Sequence, residues 1–491
     1  MSTSTELEDV INSVISGNED YNSFEGRWKY YYQSYLGGED YRRAGHLVRY
    51  QNETDAEYAA RVKATPLENH CQSVISVYNS FLFREDPERD LGTLENLPEA
   101  ADFLRDADLD GRSLDHFMAD ANVWASVFGH CWVVMAKPNV GAVSAAQERA
   151  MGVRPYVNML TPLAVLDWEY TRNFVGRYEL SYLRYIEDIN GDVVTVKEWF
   201  PEAVRTKIVD KGKRTINNEF VEDNQLGKVP AVCVYNQRTG YRGIGKSDIS
   251  DVADLQRFIY NATSEVDQSI RLNTHPSLVK TSDTNAGIGA GSVIEIDDAM
   301  DPALKPYLLE FSGASVESIY TAIEHAVQAI EKMSNIGAVR ATDSKVMSGV
   351  AMDTEFQLLN SKLAGKANAM QLAEEQIWRL FAMYQAREWT GNIEYPGSFN
   401  IRDTKMEIEQ LKIAKETATD DLVLREIDKQ ILAWMELDKT LEELRAEAFM
   451  PHPMYDPVTG DVQMANTYEQ HLELSAQGWT HTAPQTNQGE L

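Results

Sequence analysis

Apolar residues recur at helical spacing in several long stretches. Ile249, Val252, Leu255, Phe258, Ile259, Ala262, Val266 and Ile270 fall mostly three or four apart, with Asp248, Asp251, Asp254, Glu265 and Asp267 between them. This predicts an amphipathic helix that ends near Thr274, ahead of Pro276. Val316, Ile319, Ile323, Val327, Ile330 and Met333 make a second stripe, from Ser315 to Asn335. Residues 350–389 read as one helix of about 40 residues, about 60 Å at a rise of about 1.5 Å per residue. Gly365 is the expected kink point in it. Shorter helices are predicted over 4–16, capped by Ser4 or Thr5, over 54–64 and 66–84, and over 114–127 behind a Ser113 cap. In the helix at 66–84, Val74, Ile75, Val77, Tyr78, Phe81 and Leu82 form the apolar face.

At Gly129 the period changes. His130–Ala136, Tyr156–Leu160, Tyr178–Ile186, Val193–Phe200 and Val229–Tyr235 read as strands, with Asn190-Gly191 turning a hairpin between two of them. No helical pattern is read between these strands, so an antiparallel meander, a small barrel or sandwich, is expected. Residues 276–312 hold short strands at Ser277–Lys280 and Ser292–Ile296 around the turn Gly287–Gly291. After Thr390-Gly391-Asn392 a strand at Ile393–Tyr395 and Phe399–Ile401 is expected to close a structure already built. Residues 404–449 are charged and predict two helices parted near Thr417–Asp420, and a polar tail follows from Pro451. The fold class is α+β and mainly helical. An aromatic cluster of Tyr21, Phe24, Trp28, Tyr30, Tyr31, Tyr32 and Tyr35 has too few interleaved cations for base stacking, so it reads as core or subunit interface.

Composition narrows the function. A chain of 491 residues suggests about two to four lobes. The net charge of −30 argues against gripping nucleic acid over a broad basic face. It is compatible with DNA passing through a channel in which tight binding would be a fault. Cys71, Cys131 and Cys233 give no CxxC and no disulfide framework, which predicts a reducing compartment. The start of the chain has no basic, apolar leader pattern, so no signal peptide is expected, and no apolar run reaches membrane-helix length.

The sharpest motif is Gly240-Tyr241-Arg242-Gly243-Ile244-Gly245-Lys246-Ser247, a full match to GxxxxGK[ST] after a strand and before a helix. Against a nucleotide site, Asn236–Thr239 separate the strand from Gly240, and no βαβ alternation follows. The Walker-B look-alike at Leu163–Glu169 lies upstream among antiparallel strands. Gly240, Gly245, Lys246 and Ser247 are therefore read as a decoy, a flexible hinge with Ser247 or Asp248 capping the helix, and no cofactor is expected. Asp106-Ala107-Asp108-Leu109-Asp110-Gly111 starts like a calcium loop, but its twelfth position is Phe117, so an acidic turn is expected. The histidines show no HExxH or paired ligand spacing. His452, His471 and His481 are about ten or more residues apart and read as solvated surface side chains, with no metal expected. No GxSxG elbow exists, and the cysteines sit in apolar segments as core thiols, so no catalysis is expected. The loop 337–349, small and polar between two long helices, carries Arg340, Ser344 and Lys345, with Lys332 just before it. It reads either as a solvated surface loop or as a mobile loop at the constriction of a channel, its few cations repeated around a ring.

The order of these elements resembles the portal (head–tail connector) proteins of tailed double-stranded DNA bacteriophages. The resemblance lies in the helices ending at Phe81-Leu82-Phe83-Arg84, the helix-then-strand at 114–136, and Gly243–Ile249 opening a long helix. It continues through the Pro276-containing insert, the second helix, the loop, and Met347-Ser348-Gly349-Val350-Ala351 opening the longest helix. It implies long stem helices, an antiparallel β-rich wing and a small α/β clip. By resemblance, residues 1–245 and 351–404 are wing, 246–274 and 314–336 stem helices, 275–313 clip, 337–350 tunnel loop and 405–491 crown-side helices and tail. It further implies a ring of usually twelve subunits at one capsid vertex, assembled in the host bacterial cytoplasm and carried in the virion. Such a ring passes double-stranded DNA during packaging, retention and ejection. Its implied partners are the terminase large subunit, the major capsid and scaffolding proteins and a head–tail adaptor; no membrane is involved. The alternatives are a P-loop NTPase using Gly240–Ser247 and a non-viral cytosolic scaffold.

Overall fold

The computed structural model describes residues 14–138, 140–141, 145–213, 215–274, 277–279, 301, 307–309, 314–340, 349–399, 404–417, 421–434 and 450–482. The chain separates into two units, Met1–Phe399 and Asn400–Leu491.

In the first unit the aromatic cluster lies on α1 (Glu19–Leu36), which starts where the Asn18 side chain accepts the Tyr21 N–H. Trp28 and Tyr21 are buried, and Phe24, Tyr30, Tyr31, Tyr32 and Tyr35 pack partly buried on the core, so these rings build the subunit interior. Then come α2 (Gly38–Arg43), α3 (Asp55–Ala64) and α4 (His70–Leu82). A Thr54–Glu57 capping box opens α3. The strand β1 (Glu88–Asp90), α5 (Pro98–Arg105) and α6 (Leu114–Phe128) follow. Ser113 caps α6, and Gly129, at φ +95°, ends it in the left-handed region.

The next strands are β2 (His130–Ala136) and, after α7 (Ala145–Ala150), β3 (Tyr156–Leu160), β4 (Val165–Arg172), β5 (Tyr178–Asn190), β6 (Val193–Trp199), β7 (Ala203–Asp210), β8 (Thr215–Asp223) and β9 (Ala231–Tyr235). They form two separate antiparallel sheets, ordered β3-β2-β9 and β4-β5-β6-β7-β8. Of the expected barrel or sandwich, the closed barrel is corrected: the five-stranded meander stays open at β4 and β8, and β2, β3 and β9 form a second sheet, with Trp132 of β2 against Trp168 of β4. β2 is buried along nearly its whole length, which is why it reads as a continuous apolar run. Residues 165–172, 203–210 and 215–223 were not expected as strands. β8 is mostly exposed polar sequence and carries little apolar alternation. The Walker-B look-alike is β4, antiparallel to β5, with Asp167 facing Arg184 at 3.4 Å.

After β9 come α8 (Val252–Thr274), the ribbon strands β10 (Ser277–Val279) and β11 (Tyr307–Leu309), and α9 (Ala314–Ser334). β10 and β11 pair antiparallel, so α8 and α9 form an antiparallel helical hairpin joined at the ribbon end. Most of the clip expected at 275–313, including Ser292–Ile296 and Gly287–Gly291, lies outside the described residues, as does nearly all of the helix expected at 4–16. A short helical turn, α10 (Gly337–Arg340), precedes α11 (Gly349–Tyr384), whose 36 residues span about 54 Å. α11 stays helical through Gly365. Its Leu359, Leu363, Ala367, Met370, Ala373, Ile377, Trp378 and Phe381 are buried in the main core. β12 (Asn392–Glu394) pairs with β1, the closure expected of that strand.

In the second unit α12 (Thr404–Thr417) and α13 (Asp421–Trp434) are the two charged helices, parted where the sequence placed the break. The tail then folds into β13 (His452–Tyr455), β14 (Val462–Ala465) and α14 (Tyr468–Ala476), with a bridge from Tyr455 to Thr480. The polar tail thus carries a small module of its own.

Candidate functional site

The glycine-rich turn 240–247 is exposed over Gly240–Arg242 and pressed into the core at Gly243, Ile244, Gly245 and Ser247. Gly245 lies back to back with Gly129: a Cβ on Gly245 would come 1.8 Å from the Gly129 carbonyl oxygen. Its N–H donates to Nδ1 of His130 at 3.3 Å. Burial pushes His130 down to about 3, so the ring is neutral and its Nδ1 can accept. The Gly243 N–H donates to the Tyr235 hydroxyl and the Lys246 N–H to the Gln237 carbonyl, both at 2.8 Å. The Ser247 hydroxyl donates to the Val127 carbonyl at 2.6 Å and accepts the Ile249 N–H. A phosphate cradle needs free N–H groups pointing at one spot above a helix N-terminus. Here Gly243, Gly245 and Lys246 direct theirs inward, and α8 begins only at Val252. The Lys246 side chain is exposed. The expected flexible hinge with a Ser247 or Asp248 cap is corrected to a pinned turn: Ser247 closes it locally, and Asp248 faces α11.

Asp248 is the centre of a buried ionic junction. Its side chain is 8% exposed, with Lys366 Nζ at 2.6 Å and Lys362 Nζ at 3.3 Å. Burial would raise its carboxyl, but the two ammonium groups outweigh burial and hold it below the usual carboxylate range. Lys366 is 4% exposed, donates to Ser126 Oγ at 2.7 Å and also bonds Asn236. Lys362 donates to the Tyr78 hydroxyl at 2.8 Å, which donates in turn to the Ser334 carbonyl at 2.5 Å. One network therefore ties the root of α8, the last turn of α9, α4, α6 and α11. Asn335, at φ +57°, then ends α9. The sequence held one signal of this: Lys362 and Lys366 are one turn apart among the apolar positions of α11.

The α8–α9 hairpin is buried at these roots. Val252, Ala253, Gln256, Ile259 and Tyr260 of α8 are buried, as are Ala326, Ile330 and Ser334 of α9. Toward the ribbon, Ile270 and Tyr320 are exposed, and so are Phe258 and Met333 nearer the roots. These large apolar side chains lie on an otherwise charged surface that includes Asp254, Arg257, Glu265 and Glu324. Lys332 is exposed on the last turn of α9 and Arg340 ends α10, whereas Ser344 and Lys345 lie outside the described residues. Lys332 and Arg340 thus stand eight positions apart in the chain, on the last turn of α9 and at the end of α10.

Elsewhere, Arg112 and Arg154 pair with Asp108 and Asp106 of the acidic turn at 2.5 and 2.9 Å. Burial raises the Cys71, Cys131 and Cys233 thiols, the state of inert core cysteines. The three histidines expected apart on the surface are gathered: His452, His471 and His481 each place a ring nitrogen within 4.8 Å of the others. Sequence spacing missed them because β13, α14 and the residue after the Thr480 bridge meet only in the folded module. No helix among the described residues is long and apolar enough to cross a membrane.

No protein-family model matches the chain, and no curated protein does. Among solved structures, it is similar to a chain in the neck of an empty gene transfer agent (GTA) particle computed with C6 symmetry, at 10% identity and a TM-score of 0.42, covering 84% of this chain and 98% of that one. It is also similar to a chain in the virion of a native gene transfer agent particle, at 9% identity and a TM-score of 0.39, covering 82% and 96%. Both likenesses are too loose to carry a functional argument.

Proposed function

We propose that this chain is the subunit of a ring-shaped portal at one capsid vertex, acting as a channel and docking platform without chemistry of its own. The observation that carries this reading is the α8–α9 hairpin. It is rooted in a buried ionic junction, yet the Phe258, Tyr320 and Met333 side chains stay exposed. One hairpin cannot cover its own flanks, and a second copy of the same hairpin can, which repeats around a closed ring. Twelve copies is the number the family resemblance suggests.

In this reading the residues from 337 to 350, with Lys332, Arg340, Ser344 and Lys345, line the channel. A few cations per subunit touch phosphates singly. The net charge of −30 per chain keeps counterion release small, so the duplex slides instead of sticking. The terminase large subunit, then a head–tail adaptor, dock at the clip. Capsid and scaffolding proteins meet the remaining surface, and the ring stays in the virion. ATP hydrolysis belongs to the terminase.

The test is light scattering and negative-stain imaging of the purified chain. The expected particle has many times the 55.4 kDa subunit mass and a central hole. A stable monomer at assembly concentrations sinks the proposal.

A further inference from the structure

We propose that His452, His471 and His481 form a binding site for a zinc-class divalent cation in the second unit, with one coordination position left open. This does not depend on the ring reading.

Three separate segments deliver the ligands. His452 starts β13, His471 lies in the first turns of α14 behind its Thr467 cap, and His481 follows Thr480, which is bonded to Tyr455 in both directions at 2.8 Å. The rings make a nearly equilateral triangle, with centroids 5.0, 5.1 and 5.1 Å apart. His452 Nε2 and His471 Nδ1 are 3.1 Å apart. Tetrahedral zinc, with bonds of about 2.0–2.1 Å, holds its ligand nitrogens about 3.3 Å apart. That pair is already at coordination spacing, and His481 is exposed enough to swing in.

The outer contacts fit as well. His452 Nδ1 lies 2.9 Å from the Met450 carbonyl, and a carbonyl only accepts, so Nδ1 carries the proton. This leaves the Nε2 lone pair facing the cluster, the arrangement in which a backbone carbonyl orients a metal-binding imidazole. No carboxylate joins the group among the described residues, so the donor set favours zinc, copper or nickel over calcium or magnesium.

The module also has a use for a cation. Its buried core is Met454, Ala465 and Leu474, with Trp479 packed beside it. So small a core holds little by burial, and a metal is a common staple for such pieces. Here it would tie the hairpin, the helix and the following segment at one point. The plain alternative is a His471-to-His452 hydrogen bond with His481 stacked on it, which explains the closest pair without requiring all three rings to converge.

The experiment uses the full-length chain with no affinity tag, stripped by chelator and titrated calorimetrically with zinc chloride. The expected result is one saturable zinc per chain, with visible absorption of tetrahedral character when Co2+ replaces zinc. Removing only an outer-shell partner typically weakens a site about 10–100-fold, so His471→Ala and His481→Ala should each raise Kd at least about 10-fold. His325→Ala, on an exposed face of α9, should leave it unchanged. His481 is exposed, so the His481→Ala chain should keep its wild-type circular dichroism and separate a lost ligand from a lost fold. Failure to take up zinc saturably, or uptake that His481→Ala leaves intact, overturns the proposal.

Discussion

A methyl group on Gly245 would collide with the Gly129 backbone, whereas the neighbouring Lys246 side chain is exposed. The two residues therefore separate the motif's structural meaning from its chemical one. Gly245→Ala should destabilise the fold by about 3 kcal/mol or more, because backbone on both sides has to move. Lys246→Ala should stay within about 0.5 kcal/mol of wild type. Thermal melting checks both, and calorimetry with Mg-ATP that shows binding abolished by Lys246→Ala would revive the nucleotide reading. Asp248 makes the sharper electrostatic case. Asp248→Asn leaves two lysines facing each other in the core and should cost about 3–5 kcal/mol at neutral pH. The Asp248 carboxyl is held below its unfolded value of about 3.9, so its contribution is complete above that value and is lost as pH falls through the lower, folded one. Urea denaturation should show the wild-type advantage over Asp248→Asn shrinking below about pH 4. An advantage that persists unchanged in acid would show that Asp248 is not the charged partner.

At the level of elements, the helices were legible because their apolar stripes are long. The stripes of α8 and α9 each recur over several turns, and Ser113 marks a start that the structure keeps. β4, β7 and β8 were missed for the opposite reason. β8 gains its place by pairing with β7 and is exposed along most of its length, so it needs no alternating pattern. The α8 stripe also holds a distinction that periodicity alone cannot make. Phe258 and Ile259 are adjacent and both apolar, yet Ile259 is 2% exposed and Phe258 is 47% exposed. Phe258→Asp should leave the melting temperature of the subunit nearly unchanged and shift light-scattering mass sharply downward. Ile259→Asp should unfold the subunit, since it buries a charge with no partner. Full-sized particles from Phe258→Asp would remove Phe258 from the proposed subunit contact.

Across the whole molecule, three sets of residues acquire meaning only when the chain is folded. Asp248, Lys362 and Lys366 are more than a hundred positions apart at the extremes, yet one network joins the roots of the hairpin to α11. Asp106 and Asp108, which look like calcium ligands in the sequence, are paired with Arg154 and Arg112. His452, His471 and His481 look like scattered surface residues and converge within 4.8 Å. Local periodicity, caps and turn residues are short-range signals, so they sufficed for α8, α9 and α11, for strands β2, β3, β5, β6 and β9, and for the break between the two charged helices. They also showed that the chain is acidic and that its phosphate-loop pattern lacks the surrounding alternation of strands and helices. Which charges pair, which glycine is pressed against backbone, which face of a helix is left bare and which histidines meet depend on contacts between residues far apart in sequence. A pattern read along one segment carries no term for those distances, and only the packed structure supplies it.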